Sequence, residues 1–276
     1  MPLRVILCLL CAVTVSASTF AQSPRFRWQT GQTLDYRVQQ VTTVADTAGD
    51  KTETSVTKLD LTKRWQVQGV DTAGIATLQL SLLSLRMEMG KAGKEPVVFD
   101  SQKADADSAT LNKDLLQYIG KPIATLRLDS QGRLIDVKES KFGPASRFVA
   151  DLPFRVTLPD SPPVAGQAWE RTYQIKMEPP QGAGESYNAV QRYICNSASP
   201  SELAIGVATT IKDQPESPAD RIPLASLMPT GVVVFDVVLG RMKKAELKME
   251  LELSGHRGEG SSYHFSSTYQ AELIAK

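Results

Sequence analysis

From Ala245 to Leu253 the odd-numbered residues are Ala, Leu, Met, Leu and Leu, and the even ones between them are Glu, Lys, Glu and Glu. Period two puts every apolar side chain on one face of an extended strand, which no helix of 3.6 residues per turn does. After the turn residues Gly255-His-Arg-Gly-Glu-Gly260 the alternation resumes at Tyr263, Phe265, Ser267, Tyr269, Ala271 and Leu273. Residues 244–274 therefore read as a long antiparallel hairpin with one buried face. Leu34, Tyr36 and Val38 alternate in the same way. A further hairpin is expected at 55–89. Leu59, Leu61, Trp65 and Val67 run into a turn at Asp71-Thr-Ala-Gly74, and Ala76, Leu78, Leu80 and Leu82 return. The apolar phase then slips by one residue to Leu83, Leu85, Met87 and Met89, as one inserted residue in a β-bulge would make it do. A stretch that leaves the sheet is the alternative.

One helix is expected near 108–119. Asp107 or Ser108 can cap it, Leu111, Leu115, Tyr118 and Ile119 share a face, and Gly120 and Pro122 end it. Asp105 and Asp107 resemble the opening of a calcium loop, but Thr110 stands where the loop needs Gly and Leu116 where it needs Glu. Capping is the better reading.

Three segments recur in order in the two halves of the chain. Gly31-Gln-Thr-Leu-Asp-Tyr-Arg-Val38 is echoed by Gly166-Gln-Ala-Trp-Glu-Arg-Thr-Tyr-Gln-Ile175. Lys63-Arg-Trp-Gln-Val67 is echoed by Gln191-Arg-Tyr-Ile-Cys195, and Leu128-Asp-Ser-Gln-Gly-Arg-Leu134 by Phe235-Asp-Val-Val-Leu-Gly-Arg-Met242. An internal duplication accounts for the order; chance likeness between alternating strands is the alternative. Between the halves, prolines at 153, 159, 162 and 163 deny ladder donors and fix an extended path. The expected organisation is a leader at 1–21, a β lobe with one helix at 22–145, a Pro-rich linker at 146–165 and a second β lobe at 166–276. The fold class is mainly β: two similar antiparallel lobes forming either one curved sheet or two packed layers.

Arg4, an apolar run from Val5 to Val15 and the small residues Thr19 and Ala21 form the three-part pattern of a secretory signal, cut between Ala21 and Gln22. The run is too short to span a membrane, which takes about 20 apolar residues. Leucine before Cys8 and before Cys11 argues against lipid attachment there. Removing the leader leaves 30 basic and 30 acidic side chains, with no basic stripe for nucleic acid or an anionic membrane. No later segment is apolar enough to be a transmembrane helix. Of three cysteines only Cys195 stays in the mature chain, so stability must come from a core and not from an intrachain disulfide. Cys195 lies in a strand-like run and reads as a small buried hydrophobe. The expected location is the periplasm or the extracellular medium.

Catalytic patterns are sparse. His256 and His264 flank or follow a turn with Glu259 nearby; a His-His-Glu metal set is one reading, and exposed turn and strand histidines are the commoner one. No Gly-x-Ser-x-Gly elbow occurs, and Ser254 beside His256 lacks an orienting acid. Gly182-Ala-Gly184 sits in a Pro/Gly turn without the strand-to-helix context of a phosphate loop. Asp129 and Asp236 occupy echoed places before turns. They can be a carboxylate pair, but Asp at a turn start more often bonds its own backbone. Trp28, Trp65 and Trp169 lie near strand starts, where core packing competes with a stacking surface. No catalytic, cofactor-binding or metal-ligating residue is assigned, and a non-enzyme with no cofactor is expected.

Trp28-Gln-Thr-Gly-Gln-Thr-Leu-Asp-Tyr36, Asp129-Ser-Gln-Gly-Arg-Leu134 and Leu158-Pro-Asp-Ser-Pro-Pro-Val-Ala-Gly-Gln-Ala-Trp169 resemble an uncharacterised family of exported bacterial proteins, a domain of unknown function. That family defines no catalytic residues to carry over. At the level of fold, a helix laid on a curved antiparallel sheet is similar to the half-barrel of periplasmic lipoprotein carriers, an analogy that bears on fold more than function. These features together predict an exported binding protein of the cell envelope with a lipid-like or hydrophobic ligand. The alternative is a scaffolding protein that holds another envelope protein by a sheet edge.

Overall fold

A computed structural model describes residues 23–103, 115–179 and 181–274. The leader with Ala21 and Gln22, and most of the helix expected at 108–119, lie outside them. At the described end of that helix Leu115 and Leu116 are helical, and Gly120 turns the chain with φ 73°.

The first half contributes β1 (Thr33–Ala48), β2 (Lys51–Val70), β3 (Ala76–Lys91), β4 (Val97–Asp100), β5 (Pro122–Leu128) and β6 (Leu134–Ser140). The second contributes β7 (Ala168–Lys176), β8 (Ser186–Ala198), β9 (Glu202–Ile211), β10 (Thr230–Asp236), β11 (Arg241–Ser254) and β12 (Ser262–Leu273). All belong to one antiparallel sheet in the order β6-β5-β3-β2-β1-β12-β11-β10-β9-β8-β7, with β4 added on β3. The two halves are therefore not separate layers. They share a sheet through the long β1–β12 pairing, in register from Tyr36 opposite Leu273 to Thr47 opposite Ser262.

The alternation places the strands as expected. The hairpin at the C-terminal end is β11 and β12, with Ala245 opposite Ala271 and Leu253 opposite Tyr263. The phase slip after Leu82 is a bulge: Lys63 faces Leu82 and Thr62 faces Ser84, so Leu83 is the inserted residue. The echoed segments make equivalent bonds. Gly31 N–H donates to Val67 O at 2.9 Å and Val67 N–H to Gln32 O at 2.9 Å, while Gly166 N–H donates to Cys195 O at 2.7 Å and Cys195 N–H to Gln167 O at 2.9 Å.

β6 and β7 stand at opposite ends of the ladder, yet both line one cleft with the chain between them. The sheet thus rolls until its edges nearly meet. The chain from 141 to 167 bridges that seam. It carries a helical turn, α1 (Arg147–Ala150), and then buries Leu152, Phe154, Val156 and Leu158, none more than 3% exposed. The Pro-rich segment expected to be a linker is a connector that is also core. Its prolines keep it extended, and its apolar residues enter the rolled sheet because both inner faces are apolar and otherwise unfilled.

Phe154 is the hub. Its ring lies 5.2 Å from Phe26, 5.5 Å from Trp28, 5.9 Å from Tyr36 and 5.8 Å from Trp65. Backbone acceptors on the segment are met from both edges. Trp169 Nε1–H donates to Thr157 O at 2.8 Å, Arg171 Nη1–H to Val149 O at 2.8 Å, and Gln131 Nε2–H to Leu158 O at 2.9 Å. Gly132, between β5 and β6, has φ 81°, and a Cβ there would lie 2.6 Å from the Phe26 ring and 3.0 Å from Val156 O. No other residue fits both demands. A smaller cluster of Ile175, Met177, Ala189, Ile211 and Leu224 packs at the far end of β7–β9. The short helix α2 (Pro218–Arg221) leads into a 3₁₀ turn, η1 (Ile222–Leu227), which supplies Leu224 and Leu227 to this cluster.

Candidate ligand-binding face

Beyond the aromatic hub the inner face continues along the outer ends of β1, β2, β3, β11 and β12. The cross-strand register gives its composition. Leu59 stands opposite Met87 and Leu61 opposite Leu85; Val44 stands opposite Phe265, which stands opposite Leu251. Leu59, Leu61, Val44, Met87, Met89 and Leu251 are only half-buried, although all point inward. The helical turns α1 and η1 pack against β6, β7 and β11, and the chain at the described end of the expected helix meets β3, where Gly120 N–H donates to Leu82 O at 2.7 Å.

The opposite surface of the same strands is charged. Arg37 binds Asp60 at 2.6 Å, Lys58 binds Glu88 at 3.2 Å, and Arg86 reaches Glu88 at 2.5 Å. The hydrogen bond from Arg37 holds the Asp60 carboxyl below the usual carboxylate range. These strands therefore have a charged outer side that water solvates and an apolar inner side on which Val44, Leu61 and Leu251 pack against the edge of the core, while Leu59, Met87 and Met89 stay half-buried beyond it.

A polar group sits where the open and packed parts of the interior meet. Lys63 faces inward beside Tyr36, and its ammonium donates to the Tyr269 hydroxyl at 3.4 Å. Arg155, from the bridging segment, stacks on the Tyr269 ring with its guanidinium 4.4 Å from the centroid. Arg155 also pairs with Asp151 and adopts φ 61°, a left-handed backbone that non-glycine residues rarely take. Burial alone would raise the Tyr269 phenol, but Lys63 and Arg155 outweigh it and hold the phenol at about 8. Two residues before Tyr269 on β12, the buried Ser267 shares its hydroxyl with Thr42 at 2.9 Å and accepts from Gln40 at 3.1 Å.

A concavity of about 490 Å³ lies at the seam, where Arg133, Thr157, Asp160, Trp169 and Glu170 are among its lining residues. Its polar groups are largely committed to the fold: Trp169 and Arg171 tie down the bridging segment, and Arg133 pairs with Asp160 at 3.3 Å.

The residues singled out in the sequence fall into place around these features. His256 is buried and its Nε2 lies 3.0 Å from Asp46 Oδ1, while Arg257 holds the other Asp46 oxygen at 2.7 Å. His264 is exposed and opposite Ala45 and Glu252 in the ladder, so the hairpin does not bring the two histidines and Glu259 together. The reading of both as exposed histidines is corrected for His256, whose turn folds back onto the end of β1. Among the described residues no three His, Cys, Asp or Glu side chains are grouped to hold a metal ion.

Asp129 accepts the Gln131 and Arg133 N–H groups at 2.8 and 2.9 Å, and Asp236 accepts Leu239 N–H at 2.7 Å. Both are turn residues. Gly182-Ala-Gly184 is a turn closed by Glu185, whose carboxylate accepts Ala183 N–H at 2.7 Å. Ser254 is an exposed strand residue. Asp105, Asp107 and Thr110 lie outside the described residues. Trp65 is buried, and Trp28 and Trp169 pack partly buried against the core. Cys195 is fully buried, which pushes its thiol up.

Sequence reading missed Lys63, Arg155 and Tyr269. The signal for Lys63 was present: it occupies the inward phase of Leu59, Leu61, Trp65 and Val67, where a charge breaks the pattern.

No protein-family model matches the chain, and no curated protein matches it. Among solved structures the chain is similar to one described as "lipid-protein interactions in lipovitellin", with TM-score 0.50 and 14% identity over 90% of this chain. The chain spans 26% of the length of that protein. The likeness is one of fold. A structure of DynF from the dynemicin biosynthesis pathway of Micromonospora chersina aligns over 93% of this chain at 11% identity, with TM-score 0.24.

Proposed function

We propose that the chain is an exported, non-catalytic binding protein that takes a lipid-like ligand against the open part of its inner face. The observation that carries this reading is the contrast across β1–β3: an ion-paired outer side and a half-buried row of Leu, Val and Met inside. Each methylene buried there contributes about 0.8 kcal/mol, so six of them yield about 5 kcal/mol before the cost of ordering the chain. The fold likeness to lipovitellin and the leader pattern are both in keeping with this reading.

The test is native mass spectrometry of residues 22–276 purified from their own periplasm without detergent. A bound mass that organic extraction releases is the expected result. A bare chain that also fails to take up added fatty acid or phospholipid would sink the reading.

A further inference from the structure

We infer that Lys63, Tyr269 and Arg155 form an anion-binding subsite at the inner end of the open face, and that the ligand is an amphiphile with one anionic head. The inference rests on the proposed binding of a lipid-like ligand and assigns its chemistry.

Three observations meet at this place. The first is charge. Asp151 neutralises Arg155, whereas among the described residues Lys63 forms no ion pair. Its only polar partner there is the Tyr269 hydroxyl. A cation turned into an apolar interior without a carboxylate is costly unless something supplies the negative charge. With two cations and one carboxylate, the cluster accommodates a single further negative charge, which suits a carboxylate or a phosphate diester better than a dianion.

The second is donor geometry. The Lys63 ammonium and the Arg155 guanidinium both converge on Tyr269, whose side chain is 5% exposed at most and aligned with the inward row. The phenol held at about 8 is a ready proton donor to an anion near neutral pH. The third is continuity. Tyr269 stands opposite Gln40, which stands opposite Leu59, and Leu59 opposite Met87. The row that begins with the phenol thus runs straight into the apolar face, so a head on Lys63 and Tyr269 leaves its tail along Leu59, Met87 and Met89. The left-handed backbone of Arg155 fits the same picture. Strain of this kind persists where surrounding structure holds it, and here it sets the guanidinium over the Tyr269 ring while the neighbouring Phe154 is buried in the packed part.

The experiment is isothermal titration of the purified mature chain with three probes: dodecanoate, dodecanol and acetate. Dodecanoate is expected to bind at least about tenfold more tightly than dodecanol, and acetate weakly or not at all. Lys63→Met should abolish the preference for dodecanoate while leaving dodecanol unchanged, and Lys63→Arg should restore most of it. Circular dichroism checks that each variant is folded. Equal binding of dodecanoate and dodecanol, or an unchanged preference in Lys63→Met, overturns the head-group assignment and leaves the apolar face intact. Failure of both twelve-carbon probes overturns the underlying binding reading. Tight acetate binding lost in Lys63→Met would mean a small-anion site, and would overturn the amphiphile.

Discussion

Replacing Phe154 with alanine tests whether the bridging segment is core. The ring is 1% exposed and meets Phe26, Trp28, Tyr36 and Trp65 at centroid separations of 5.2 to 5.9 Å. Truncating a buried Phe costs about 3–5 kcal/mol, through lost transfer energy and the cavity left behind. Four aromatic neighbours from three parts of the chain cannot all collapse into that space, which argues for the upper half of the range. For a chain of this size about 4 kcal/mol lowers the midpoint by roughly 8–16 °C. Urea unfolding followed by tryptophan fluorescence is the assay, because Trp28 and Trp65 both lie against the ring. Val164→Ala is the control: it sits in the same segment but is 67% exposed, and a change within about 0.5 kcal/mol is expected. A loss below about 1 kcal/mol for Phe154→Ala, or equal losses at both positions, would refute the idea that this segment fills the rolled sheet.

Three more outcomes follow from the same geometry. Tyr269 should ionise first among the tyrosines, near pH 8 by absorbance at 295 nm, because burial pushes Tyr36, Tyr173, Tyr193 and Tyr263 upward. Its folded value lies below the unfolded value of about 10, so its contribution of about 2–3 kcal/mol is complete above pH 10 and lost as pH falls through 8. Lys63→Met, which removes one of the two cations facing the phenol, should shift that titration upward and leave Arg155 as the other; an unmoved titration would contradict the assignment. Cys195, buried and with its thiol pushed up, should resist a thiol reagent such as DTNB in the native state and react within minutes in denaturant. Gly132→Ala should cost at least about 1 kcal/mol more than Gly166→Ala in urea, since both have positive φ but only Gly132 has a ring and a carbonyl in the way.

The strands and even the bulge at Leu83 were legible because period two is a local property: each residue's face is set by its neighbours in sequence. The union of both halves into one sheet was not, because nothing in the alternation of β1 says that its second partner is β12, more than 200 residues away. The bridging segment was misread for a related reason. Leu152, Phe154, Val156 and Leu158 do alternate, but the prolines around them mark a connector, and only the closure of the sheet around them turns a connector into core. Lys63 was visible as a break in an apolar row. Tyr269 and Arg155 became meaningful only when the fold brought three distant segments to one point.

The topology explains why such a point exists. A meander that leaves β6 at one edge and re-enters at β7 on the other must carry its chain across the opening. Each edge strand is bonded to a neighbouring strand on one side only, so a rolled sheet of this order has no ladder to close it. The crossing chain takes that role with side-chain donors from Gln131, Trp169 and Arg171. It also lies over edges that would otherwise invite another strand, which weighs against recruitment of a partner at the seam. But seven residues from Leu152 to Leu158 fill only one end of a roll whose longest strands run 16 to 20 residues. Among the described residues Leu59, Met87 and Met89 lie beyond that plug, with Arg155, Lys63 and Tyr269 between, and this mismatch between a short plug and long strands is the space the proposed ligand would take.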